Sequence, residues 1–111
     1  MNEATWRVEF EAMTRIHLIE KLGLFQRVEG NIYESGYWDI PIQKADKLVR
    51  GDIYFHKKQK EVSFFGGKII SYRISDDGEF KGRIIFRFEY SRSHKGVLAG
   101  DEGWSYEKKI I

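Results

Sequence analysis

The chain has 111 residues, 41% of them hydrophobic, 15% aromatic and 32% charged, which suits one well-solvated globular domain over residues 1–111 and excludes a disordered polar chain. Nineteen Lys and Arg nearly cancel seventeen Asp and Glu, so the net charge of +2 does not by itself point to nucleic acid, and electrostatic arguments have to be local. The absence of cysteine excludes disulfides and thiolate chemistry, no apolar run approaches a membrane span, and the start lacks a signal-peptide core, so a cytoplasmic location is expected.

In chain order, Trp6, Val8 and Phe10 alternate with charged residues as a strand would, while Trp6, Phe10, Met13 and Ile16 also fall at helical spacing. Nothing turn-prone interrupts Glu3 to Leu22, and Gly23 stands where a helix C-cap glycine belongs, so a helix is predicted over that span, with a strand-like beginning left open. Leu24 to Val28 and Ile32 to Tyr33 read as strand on either side of Gly30-Asn31. Glu34 to Asp39 reads as a polar, aromatic loop that presents Tyr37 and Trp38. Pro41 then opens a short helix, because Ile42, Ala45, Leu48 and Val49 share one helical face.

Gly51 to Arg73 reads as a hairpin, with Ile53 and Phe55 on one face, Tyr54 and His56 on the other, and Lys57 to Lys60 in the connection. Gly66-Gly67 interrupts its second strand, the pattern of a bulge, a sharp bend or a close backbone approach. Asp76-Asp77-Gly78 is a turn, Gly82 to Tyr90 a strand, Ser91 to Gly103 a loop, and Trp104 to Ile111 a closing strand. The expected fold class is α+β. Its body is a small, strongly bent, antiparallel, barrel-like sheet of about five strands, with an N-terminal helix and one short helix, since closure hides strand edges.

The run Gly51-Asp52-Ile53-Tyr54-Phe55 entering a strand, its spacing to Val62, and Trp38 in the preceding aromatic loop resemble the PUA-like superfamily of small β-barrels, in the style of its EVE and ASCH domains, across the middle half of the chain. The resemblance implies a pocket in or beside the barrel for a nucleobase, often a modified one. Some ASCH-like relatives are amidohydrolases using a lysine, a threonine and a glutamate, types that Thr14, Lys21 and Glu89 supply. Gly66-Gly67 and the short C-terminal part depart from the EVE pattern, so no pocket residue carries over by position.

From the residues themselves, Tyr37, Trp38, Tyr54 and Tyr72 are the rings that could hold a base, with His56 and the Gly66-Gly67 bend beside them. Lys57, Lys58, Lys60, Lys68 and Arg73 are the phosphate candidates, though lysines in a hairpin connection are usually only solvated. His56 reads first as a half-exposed strand residue, and Trp6, Phe86, Phe88 and Trp104 as packing. His17, His56 and His94 lie too far apart in sequence to show metal-ligand spacing, and no phosphate-loop, nucleophile-elbow or metalloprotease signature is present, so no metal, cofactor or catalytic residue is expected. A nucleic-acid or nucleobase binding module is therefore favoured over a protein-interaction or inhibitor domain and over a small-molecule site or ASCH-like hydrolase. A homodimer remains open.

Overall fold

The computed structural model describes residues 14–111. The expected helix over Glu3 to Leu22 is overturned where it can be followed: Arg15–Ile19 is a strand, β1, and the remainder of that span before residue 14, with Trp6, lies outside the described residues. Ile16 and Leu18 are wholly buried on one side, and His17 on the other, so both faces of β1 are covered. An apolar stripe at three- and four-residue spacing and an apolar strand buried on both faces look alike over so short a run; tertiary burial decided.

Six further strands follow: β2 Gln26–Glu29, β3 Ile32–Trp38, β4 Asp52–His56, β5 Phe65–Ile74, β6 Ile84–Tyr90 and β7 Lys108–Ile110. Among the described residues one helix, α1, covers Ile42–Leu48, and a 3-10 turn covers Arg92–His94. The strands form a single open sheet in the order β2-β3-β6-β5-β4-β1-β7. Expectations of about five strands, wholly antiparallel pairing and barrel-like closure are thus corrected, because the described residues form seven strands, β1 pairs parallel with β4, and β2 and β7 end the sheet as edges. Strands β1 and β4 can run parallel because β2, β3 and α1 all intervene in sequence, enough chain for a crossover.

Pro41 precedes α1, its missing N–H harmless at a helix start, and the helix seats Ala45 and Leu48 on the sheet while Ile42 faces outward. Those two pack with Ile16, Leu18, Ile53, Phe55, Ile69, Ile84, Phe86 and Phe88 into one core, to which Phe25, Tyr33, Trp38, Phe65 and Tyr72 add partly buried rings. The alternation foreseen in β4 holds, with Ile53 and Phe55 in this core.

Gly66 and Gly67 do not bend β5. They sit in a regular ladder opposite Tyr54 and Ile53, and the irregularity of β5 falls later, between Ile69 and Ser71. The doublet permits close approach instead: a Cβ on Gly66 would lie 2.3 Å from the Ile53 carbonyl oxygen and 3.0 Å from His94 Cβ.

The second face of β1 and β4 is covered by the chain after β6, where the closing strand foreseen over Trp104 to Ile111 shrinks to Lys108–Ile110. Ser63 fastens this cover: its backbone N–H donates to the Val97 carbonyl at 2.8 Å, its hydroxyl donates to the His94 carbonyl at 2.6 Å, and that same oxygen accepts from the Val97 N–H at 3.0 Å. Ser63→Ala would strand a half-buried donor and acceptor, so a loss of about 1–3 kcal/mol in unfolding free energy is expected, read as a lower urea midpoint with unchanged slope. No helix among the described residues is long and apolar enough to cross a membrane.

Candidate functional site

Two places concentrate chemistry. The first lies beneath the cover. Residues Asp52, Tyr54 and His56 of β4 share a face with Arg15 and His17 of β1, because Arg15 pairs with Asp52 and His17 with Tyr54. Tyr54 is stacked between two imidazoles, 4.7 Å from the His17 ring and 4.9 Å from that of His94. All three histidines therefore meet here despite their separation in sequence, yet no group of metal-ligand type and number forms among the described residues. His56 is not half-exposed as foreseen but wholly buried, with the Trp104 ring 5.9 Å away.

Hydrogen-bond logic orders the protons. The Glu61 carbonyl can only accept, so His56 Nδ1 donates to it at 2.8 Å and His56 Nε2 is a lone pair. His17 Nδ1 then donates to that lone pair at 2.9 Å, which leaves His17 Nε2 a buried acceptor with no partner among the described residues. Burial, then the neighbouring His56, Arg15 and Lys109 charges, pull the His17 pKa down to about 3, and burial lowers that of His56. At neutral pH the pair is uncharged. Asp52 is the opposite case: burial raises its pKa, but hydrogen bonds from His94 Nε2 at 2.9 Å and Lys68 Nζ at 3.0 Å outweigh it and hold the carboxyl low. This face is covered and, His17 Nε2 apart, satisfied, the character of a packed polar layer.

The second place is a cleft of three adjoining cavities. One, about 360 Å³, is lined by Tyr37, Phe80, Arg73, Glu34 and Glu20 among others. The next, about 620 Å³, runs from Tyr37, Trp38 and Asp39 at the end of β3 to Ser105–Lys108 at the start of β7. A third, about 240 Å³, is lined by Lys21, Lys57, Lys58, Gln59 and again Tyr106 and Glu107. Tyr37 joins the first to the second, and Tyr106 with Glu107 joins the second to the third. Tyr106 is 93% exposed and carries a φ of 54°, a left-handed conformation uncommon for a tyrosine. Lys108 Nζ donates to the Asp39 carbonyl at 2.5 Å, tying the β7 wall to the β3 wall.

The named candidates divide accordingly. Tyr37, Trp38, Arg73, Lys57 and Lys58 line the cleft, and the Trp38 ring is steadied by donating to Ser35 Oγ at 3.1 Å. Tyr54, His56 and Gly66 belong to the covered face, while Lys68 is exposed and pairs with Asp52 at 3.0 Å. Gly67 lies between β4 and β6, and Tyr72 donates to Asp46 Oδ1 at 2.5 Å while packing on the core. Trp38, Tyr54 and the glycine doublet do not line one cavity. Arg73 is engaged by Glu34 at 3.1 Å, and the same carboxylate receives Arg87 at 3.0 Å; burial opposes ionisation of Glu34, but these two guanidiniums prevail and lower its pKa. Lys60 is exposed and lies outside the lining of the third cavity. Arg83 and Tyr106 escaped sequence reasoning, and Lys21 was singled out only for ASCH-like chemistry, because tertiary folding brings 21, 57–59 and 106 together; the exposed tyrosine in a Gly- and Ser-rich stretch was the one local hint.

Fold and cleft together define a β-rich domain with an open mixed sheet and an aromatic, cation-bearing groove beside its edge strand β7. The chain matches no family model, no curated protein and no solved structure.

Proposed function

We propose that this domain binds single-stranded nucleic acid, or a nucleotide with an extruded and often modified base, in the three-part cleft. The observation that carries the reading is the run of Tyr37, Trp38 and Tyr106 along adjoining cavities, the last of which Lys21, Lys57 and Lys58 line. Such rings hold bases by stacking, while the ammonium groups attract the phosphates that join them. The PUA-like resemblance belongs to this proposal through the ligand class it implies, independently of barrel closure.

The test is fluorescence anisotropy with short single-stranded DNA and RNA at several salt concentrations. Tyr106→Ala should weaken binding about tenfold, in line with a stacking contribution of roughly 1–3 kcal/mol per base. Joint replacement of Lys57 and Lys58 by Ala should reduce the salt slope by roughly one unit or more, at about 0.7 per phosphate neutralised. Binding unchanged by both variants, or insensitive to salt, rejects the proposal.

A further inference from the structure

The middle cavity has a hydrogen-bonding character of its own. It is the largest of the three, about 620 Å³, with Trp38 and Tyr37 on one wall and Tyr106 on the other, room and rings enough for a base. Its cationic groups are already committed. Lys108 Nζ donates to the Asp39 carbonyl at 2.5 Å. Arg83 reaches the Tyr37 carbonyl at 3.4 Å and lies 5.6 Å over the ring of Phe80, a residue of the neighbouring cavity, so its guanidinium sits at the boundary between the two. The Asp39 and Glu107 carboxylates, in contrast, have no hydrogen bond or ion pair among the described residues. What this cavity offers a ligand without breaking a bond inside the protein is therefore acceptor capacity on both its β3 and its β7 wall.

From this we infer that the middle cavity selects a base presenting an exocyclic amino group, as adenine, cytosine and guanine do, over thymine or uracil. The inference rests on the binding role proposed above and adds its selectivity. A carboxylate accepts from an amino group, whereas thymine and uracil present two carbonyl oxygens around a single N–H, and those oxygens would face Asp39 and Glu107 with like polarity. Rings on either side tolerate any base, so discrimination falls to the two carboxylates.

Competition between short oligo-dC, oligo-dA and oligo-dT for the wild-type chain, read by anisotropy at fixed low salt, tests it. Oligo-dC and oligo-dA should bind roughly tenfold more tightly than oligo-dT, as expected for a well-placed base-edge contact. Asp39→Asn combined with Glu107→Gln should abolish that preference while oligo-dT binds at least as well as before, since two negative charges are gone. Both side chains are exposed, and a thermal melt of the double variant reports whether it folds. Should it fail to fold, the wild-type preference decides alone. Equal affinities, or a preference for oligo-dT, overturn the inference and leave the binding role intact; no salt-sensitive binding by any of the three overturns the binding role itself and this selectivity with it.

Discussion

Gly67→Ala is expected to lower the unfolding free energy by about 3 kcal/mol or more, a large share of the roughly 5–15 kcal/mol that holds a domain of this size together. A Cβ at this position would lie 1.9 Å from the Glu89 carbonyl oxygen and 2.6 Å from its carbon, and both are backbone atoms in the middle of a ladder. Gly67 is paired with Ile53 of β4 on one side and Tyr90 of β6 on the other, so the strand cannot step away from one neighbour without pressing on the second. Gly78→Ala is the control. There φ is +74° but nothing lies within 4 Å of the added carbon, so the cost should stay near 1 kcal/mol, the price of a left-handed alanine. Urea midpoints for the two variants separate steric exclusion from backbone strain, and a Gly67→Ala protein as stable as the Gly78→Ala one would show that β5 and β6 do not approach as described.

Acid should destabilise the protein before its carboxylates begin to protonate. His17 titrates at about 3 when folded and near 6.5 when unfolded, so between those values the unfolded chain binds a proton that the folded chain refuses. Its contribution is complete above about pH 6.5 and declines as the pH falls toward 3, with a slope approaching about 1.4 kcal/mol per pH unit. His56, also lowered by burial, acts in the same direction. Glu34 and Asp52 are held below their ordinary values of 4.5 and 3.8, so their stabilisation is lost only at lower pH, as each falls through its folded pKa. The interval from about pH 6.5 to 4.5 therefore reports the histidines. Urea midpoints across it should fall steadily in the wild type, and His17→Phe should flatten the fall. A wild-type midpoint constant over this interval would mean that water reaches the imidazoles and that the cover carrying Trp104 does not seal them.

Several individual elements, though not the architecture, were legible from local chemistry. Strand β4 could be read from the alternation of Ile53 and Phe55 with Tyr54 and His56, α1 from Pro41 and the Ala45–Leu48 spacing, and the β2–β3 turn from Gly30-Asn31. Strand β3 ran further than foreseen, through Tyr37 and Trp38, because pairing with β6 overrides the loop-like composition of Glu34 to Asp39. Of the cleft, Tyr37, Trp38, Lys57, Lys58 and Arg73 could be named beforehand, since rings in a polar stretch and basic residues are local properties. Their association with Lys21, Arg83 and Tyr106 could not, because it is a long-range contact.

By itself, the order of residues determined that the chain is rich in strands, that Asp52–His56 alternates, where α1 starts and that Gly30-Asn31 turns the chain, since all of these follow from periodicity and backbone preference over a few neighbouring positions. Only the tertiary structure decided that β1 is a strand buried on both faces and parallel to β4, that the sheet stays open, that Gly66-Gly67 serves close approach, and that three histidines and the cleft walls converge. Each of those depends on which distant segment covers a given face, and burial by a distant segment leaves no mark on the spacing of the residues it covers.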